Sequence, residues 1–264
     1  MDRELVDRFT ADGFLKLDQA VPADVAQECA RLLWAEIPAE PDDPATWTEP
    51  VHWVAGMGQE PFAQAINTPV LHDAFDTLIG PGRWAPRDSM GSFPLRFPHE
   101  SEPNDAGWHI EGSYQPPGAE TYWTNVHSTG RVLLMLFLFT DIDEHNAPTR
   151  IRIGSHMDAP AVLREHGSRG ASIFHIGPDI EAASAHRPIA LATGRVGDVY
   201  LCHPFLVHAA QPNHGNQPRF LGQPALLPSE TFHRAPFSLT VLDHTPLPIA
   251  RTIRDALHGD LAAE

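Results

Sequence analysis

His109 and Glu111 stand two residues apart in the run Gly107-Trp-His-Ile-Glu-Gly112. In extended chain such a pair projects to one face, so an imidazole and a carboxylate can converge on one ion. A second imidazole, His208 in Phe205-Leu-Val-His-Ala-Ala210, completes two histidines and one carboxylate if its strand faces the first. That is the facial donor set of mononuclear iron(II) sites that activate oxygen, and it leaves three coordination positions open. Alone, His-x-Glu is a weak signal: a chain with 16 histidines produces it by chance, on surface strands as readily as in a site. The residues downstream of His208 add weight. Asn213 comes first and then Arg219, eleven residues after His208 at the head of another strand candidate. A guanidinium there could be a surface ion pair, but its fork is also suited to two-point capture of a carboxylate. A strand that delivers an imidazole, a turn, and a returning strand that delivers an arginine make one working unit.

With these residues in place, the chain resembles the phytanoyl-CoA dioxygenase family of iron(II)- and 2-oxoglutarate-dependent oxygenases. The resemblance begins at Phe9-Thr-Ala-Asp-Gly-Phe14, includes Thr140-Asp141 and Asn146-Ala-Pro-Thr-Arg-Ile-Arg-Ile-Gly154-Ser155-His156, and runs to Arg219. It implies that His109, Glu111 and His208 bind Fe(II) and that Arg219 pairs with the distal carboxylate of 2-oxoglutarate, the cosubstrate. It also implies a mainly β fold with helical decoration, the double-stranded β-helix or cupin-like jelly-roll barrel. Glu111 stands where the family usually carries aspartate, and Ala147 and Ile153 replace its usual glycine and proline. Because a carboxylate fills the acid position, the resemblance implies hydroxylation of a small organic molecule by molecular oxygen, with release of succinate and CO2, and not halogenation. Two other readings compete. A metal-binding jelly-roll hydrolase, zinc-assisted with an open position, has no use for Arg219; a catalytically silent binding barrel holds ligand without turnover.

The elements that must position these groups are legible in outline. Leu5, Val6 and Phe9 recur at helical spacing until Ala11-Asp12-Gly13, and a short strand is predicted over 14–17. Pro22 opens a second helix whose stripe of Val25, Ala26, Cys29, Leu32 and Leu33 ends near Ile37-Pro38, and a third helix is predicted over 69–79. From Arg83 the texture changes to short apolar or alternating segments broken by turn residues. Strands are predicted over 90–97, 107–111, 132–140, 150–153, 189–192, 198–202, 219–225 and 238–241. Val132 to Phe139 is apolar throughout and reads as a strand buried on both faces. With no linker or repeat, residues 1–264 read as one domain, 1–82 a mostly helical flank and 83–245 the β core. Alternation turns His203 away from His208, and His156 reads as the brace of a loop. Trp108, Tyr114 and Trp123 are candidates for a substrate pocket or for packing. Arg96, Arg131, Arg150 and Arg152 are candidates for an anion site, or solvated strand ends.

Composition narrows the partners. The 264 residues carry 34 acidic against 18 basic side chains, a formal charge of −16, and Lys16 is the sole lysine. Such a chain advertises no phosphate-binding stripe, which argues against nucleic acid and, despite the family's name, against a CoA ester. Two cysteines give no disulfide framework. The start lacks a basic region and apolar run, and the longest apolar stretch is far short of a membrane span. The expectation is a cytoplasmic enzyme with no membrane partner; oligomeric state and substrate identity are not encoded legibly.

Overall fold

The computed structural model describes residues 2–234, 236–237 and 247–259. Helix α1 (Arg3–Asp12) leads into β1 (Phe14–Leu17), succeeded by α2 (Ala23–Ala35), β2 (Val51–Val54), α3 (Glu60–Ile66) and α4 (Pro69–Leu78). Next come β3 (Trp84–Ala85), β4 (Phe93–Arg96), β5 (Trp123–Thr124), β6 (Leu133–Leu138) and β7 (Thr149–Arg152). α5 (Ala159–Arg164), β8 (Ala171–Ser172) and α6 (Ile173–Ala183) precede β9 (Ile189–Ala192) and β10 (Val199–Cys202). β11 (His208–Ala209), β12 (Leu221–Gly222), β13 (Ala225–Pro228) and α7 (Pro248–Gly259) complete the order.

The larger sheet runs β1-β10-β6-β13-β3, with β12 on the same edge of β6 as β13. β12 and β13 are one strand interrupted at Gln223-Pro224. Pro224 has no N–H to give the ladder, though its carbonyl still accepts from Met135 N–H at 3.1 Å. β4 joins this strand through a bridge between Arg96 and Arg219, and β2 pairs with β4. The smaller sheet is β11-β7-β9, and His109 extends it by bridging to His208 on β11.

β6 shows why the sheets stack as they do. All six of its side chains are buried. Leu134, Leu136 and Leu138 join Tyr200, Cys202, Ile151 and Ala192 in a core shared by the two sheets. Leu133, Met135 and Phe137 point the other way, into a larger core with Phe9, Cys29, Leu33, Phe62, Leu71 and Phe75 from the helices. The period of two thus divides one strand between two cores. Each fully buried Leu or Phe is worth about 1.5–3 kcal/mol against exposure. The result is a mainly β jelly roll with a helical layer on the outer face of its larger sheet.

The helices carry their own start and stop signals. Asp2 caps α1 by accepting from Glu4 N–H, and Gly13 ends it at φ +82°. A Cβ at Gly13 would lie 2.4 Å from Nδ1 of His156, so glycine is required there for space as well as conformation. Thr68 and Pro69 open α4, whose apolar face packs inward.

Several expectations need correction. Residues 107–111 do not form a ladder; only His109 pairs, through its bridge to His208. The division at residue 82 is not a structural one, since β1 and β2 from the flank pair with β10 and β4 of the core. Helices α3, α5, α6 and α7 fall where no helix is predicted; Gly177-Pro178 sits inside α6 and disguises it. The strand predicted over 238–241 lies outside the described residues. Among the described residues, no helix is long and apolar enough to cross a membrane.

Candidate active site

His109 and His208 are directly opposed across an antiparallel bridge and exchange both backbone hydrogen bonds, each at 3.0 Å. Directly paired residues project to the same side, and the two rings lie with centroids 4.5 Å apart. Glu111 comes next on the same face, with Ile110 between them buried on the other. One donor atom from each of His109, Glu111 and His208 lies within 4.8 Å of the others, a set that could hold a metal ion.

The protonation pattern of both rings suits that role. His109 Nδ1 bonds the carbonyl of Gly107 at 2.9 Å, and His208 Nδ1 bonds that of Leu206 at 3.0 Å. A carbonyl only accepts, so each Nδ1 carries a hydrogen, and Nε2 is the nitrogen each ring leaves for a metal ion. His208 Nε2 is buried without a hydrogen-bond partner, 3.5 Å from Glu111 Oε1. Burial, and secondarily the neighbouring His208, hold His109 below the ordinary histidine range against the pull of Glu111, which keeps its ring a neutral donor. Burial alone would raise the Glu111 carboxyl, but Arg131 and the two imidazoles outweigh it and hold it well below the usual carboxylate range. A buried ring nitrogen without a hydrogen-bond partner, beside an ionised carboxylate, fits a divalent ion.

The surroundings fix this geometry. Arg131 Nη2 lies 3.3 Å from Glu111 Oε2, leaving Oε1 toward His208, and Arg131 Nε donates to Gly112 O at 3.1 Å. Arg150 Nη2 donates to the carbonyls of Ala106 and Ala210 at 2.7 and 2.8 Å, which ties together the two segments that carry the histidines. Trp108 is stacked by Arg150 and Arg152, whose guanidinium carbons lie 4.9 and 4.3 Å from its ring centroid. Arg150 and Arg152 are therefore supports of the site and not solvated strand ends. Asn213 donates to the carbonyls of Arg96 and Gln217, so it shapes the turn that returns the chain to Arg219.

Arg219 is 1% exposed and Arg96, its cross-strand partner, 2%. Burial, and then Arg96, push the Arg219 guanidinium down to about 9, with Asp105 opposing. The same Asp105 also acts electrostatically on His109. His203 is turned into a separate buried cluster with His156, which bonds the Thr10 carbonyl through Nε2 at 3.1 Å.

A cavity of about 260 Å³ opens on Glu111 and Arg131, lined also by Ser92, Tyr122, Ile173 and Gln223. Sequence reasoning missed these last four, none of which lies in a recognisable motif. Tyr122 reaches the site because residue 112 is glycine: a Cβ there would come 2.3 Å from Tyr122 Cβ. Trp123 and Tyr114 pair with each other through their backbones and are not among the cavity's lining residues. Cys29 and Cys202 are both free and buried; burial and Glu111 push the Cys202 thiol up, so it stays protonated.

A family model described as "Phytanoyl-CoA dioxygenase (PhyH)" matches residues 9–221, which takes in His109, Glu111, His208 and Arg219. The chain belongs to the phytanoyl-CoA dioxygenase family. It is accordingly a non-haem iron oxygenase dependent on 2-oxoglutarate. No curated protein matches the chain significantly. Among solved structures, EctD from S. alaskensis with bound Fe is similar at 20% identity and TM-score 0.59, over 89% of this chain and 79% of that one. The epimerase SnoN in complex with Fe3+, alpha ketoglutarate and nogalamycin RO is similar at 18% identity and TM-score 0.59, over 86% and 83%. HygX from Streptomyces hygroscopicus, with nickel and 2-oxoglutarate bound, matches at 17% and 0.55, over 84% and 85%. At these identities the likeness establishes the jelly-roll fold that the phytanoyl-CoA dioxygenase family shares with them.

Proposed function

We propose that this member of the family hydroxylates a small organic molecule, consuming molecular oxygen and 2-oxoglutarate and releasing succinate and CO2. In this reading His109, Glu111 and His208 hold Fe(II), and Arg219 takes the distal carboxylate of the cosubstrate. The observation that carries it is the convergence of two imidazoles and one ionised carboxylate, with His208 Nε2 buried and without a hydrogen-bond partner. When bound, iron and 2-oxoglutarate would activate molecular oxygen, the oxidant, 2-oxoglutarate giving up two electrons as it becomes succinate and CO2 and the C–H bond giving up two as it becomes C–OH.

The chain's own groups do the rest. The backbone bonds of Gly107 and Leu206 keep both Nε2 atoms turned inward, and Arg131 holds Glu111 ionised and oriented. Glu111 is one methylene longer than the family's aspartate, and the Arg131 contact fixes that extra reach. The cavity beside Glu111 suits part of a small molecule, with Ser92 and Gln223 as polar contacts and Ile173 and the exposed Tyr122 as apolar walls at its mouth. Small organic ligands in the structures of EctD with 5-hydroxyectoine and HygX with hygromycin B support that class of substrate. Two buried thiols with no disulfide accord with the cytoplasm.

The test is an anaerobic titration of metal-free protein with Fe(II) and then 2-oxoglutarate, watching for the visible charge-transfer band of the chelated cosubstrate. A saturable band is expected. Bound iron with no band would sink the oxygenase reading and favour the hydrolase or the silent barrel. Arg219→Ala should weaken 2-oxoglutarate binding sharply with Fe(II) affinity unchanged; unchanged cosubstrate affinity would remove Arg219 from the site.

A further inference from the structure

Arg219 is buried together with a second arginine, Arg96, and the charges of the pair do not balance. Arg96 and Arg219 exchange both backbone hydrogen bonds, at 2.9 and 2.7 Å, so their side chains leave the sheet on the same side. Arg96 Nη2 is ion-paired to Asp105 Oδ2. Four guanidinium nitrogens remain buried without a partner: Nε and Nη1 of Arg96, and Nε and Nη1 of Arg219. Asp105 has not closed on Arg219, since its second oxygen, Oδ1, is also buried and unpartnered. The count is two positive charges, both cut off from water, against one partly exposed carboxylate, and uncompensated buried charge is costly. One further carboxylate would neutralise it, and a carboxylate's two oxygens offer about four acceptor sites to the four waiting donors.

Resting on the assignment of Arg219 to the cosubstrate, we propose that Arg96 is a second cosubstrate-binding residue, and that Arg96 and Arg219 together clamp the distal carboxylate while Asp105 remains as the counter-charge of Arg96. The clamp makes the site selective for a keto acid that carries a second carboxylate over one that does not.

The experiment compares 2-oxoglutarate with 2-oxopentanoate, which keeps the keto-acid end and the chain length but lacks the distal carboxylate. Each is titrated anaerobically into the Fe(II)-loaded full chain, with the charge-transfer band as readout, and the ratio of the two affinities isolates the distal contact. Arg96→Gln should lower the ratio by roughly tenfold or more, mainly by weakening 2-oxoglutarate, as should Arg219→Gln. Arg96→Lys keeps the charge and most of the volume but not the fork, so it should lose part of the preference; it also gives a folded protein if the glutamine variant fails to fold. If Arg219→Gln loses the preference while Arg96→Gln or Arg96→Lys retains it within twofold, Arg96 is merely structural and the proposal is overturned. If the unmodified protein binds both acids equally, Arg219 does not read a distal carboxylate either, and the underlying assignment fails with it. An equal loss of both ligands in Arg96→Gln would also count against the clamp, because a disturbed fold does not discriminate between them.

Discussion

Of the two closest pairs of histidine rings among the described residues, only one is built to bind a metal. His109 and His208 have ring centroids 4.5 Å apart, and His156 and His203 lie at 5.0 Å. The second pair is the more deeply buried. The difference lies in where the lone pairs point. In the first pair each Nδ1 is committed to a backbone carbonyl, so both Nε2 atoms face inward beside Glu111. In the second, His203 Nδ1 accepts from Phe205 N–H at 3.1 Å, which leaves the hydrogen on Nε2, and His156 bonds Thr10 through Nε2 and turns Nδ1 toward Gly13. The acid that acts on His156 is Asp158, already held by Arg187 in a two-point pair. Proximity and burial of imidazoles therefore do not make a site. Ring nitrogens that face one point, and a carboxylate with one oxygen still turned toward them, do.

The sharpest way to break this contrast is to delete one ring from each pair. His208→Ala or Glu111→Ala should lower Fe(II) affinity by roughly a hundredfold or more, measured by competition with a chelator, whereas His203→Ala should leave it within about twofold. Comparable loss from His203→Ala would erase the distinction.

Acid provides the converse test. Burial holds His156 down at about 4, from 6.5 when free, and holds His203 well below the ordinary histidine range. Both are folded as neutral rings and take up protons on unfolding. Stability should therefore be intact above pH 6.5 and decline as the pH falls toward 4, by roughly 3 kcal/mol for His156 alone. Urea titrations across that range check it, and His156→Gln should flatten the decline. A profile flat to pH 4 in the unmodified protein would mean the pair is not held neutral.

Smaller effects sharpen the picture. Arg150→Met removes the link between Ala106 and Ala210, and should cost about tenfold in Fe(II) affinity with little change in unfolding midpoint. At the far edge of the larger sheet, Lys16 bonds the buried Asp198 at 3.2 Å. Lys16→Met should cost no more than about 1 kcal/mol in a denaturant titration, because the lysine is partly solvated.

Much of the fold is legible in the residues. β6 announces itself as a run of apolar side chains, and α1 and α4 carry caps that can be read directly. The four site residues are findable because their spacing encodes strand geometry: two residues for a shared face, eleven for a turn and return. Arg96 is different. Its charge predicts solvent, and its burial results from pairing with Arg219 across a sheet whose register no local pattern displays. Tyr122, Ser92 and Gln223 come from three separate segments for the same reason. The strand expected over 107–111 is reduced to a single bridge; neighbouring residues fold away toward Arg150 and Arg131, and alternation cannot foresee those contacts.

The division of β6 between two cores has a kinetic consequence. A strand whose alternate side chains belong to different cores cannot let one loosen while the other stays packed, so the jelly roll and its helical layer should open together. Amide hydrogens of residues 133–138 should then exchange with solvent only through opening of the whole molecule. An ion bound at the histidines should slow exchange in α2 and α4, which it does not touch, by as much as it slows exchange in β6.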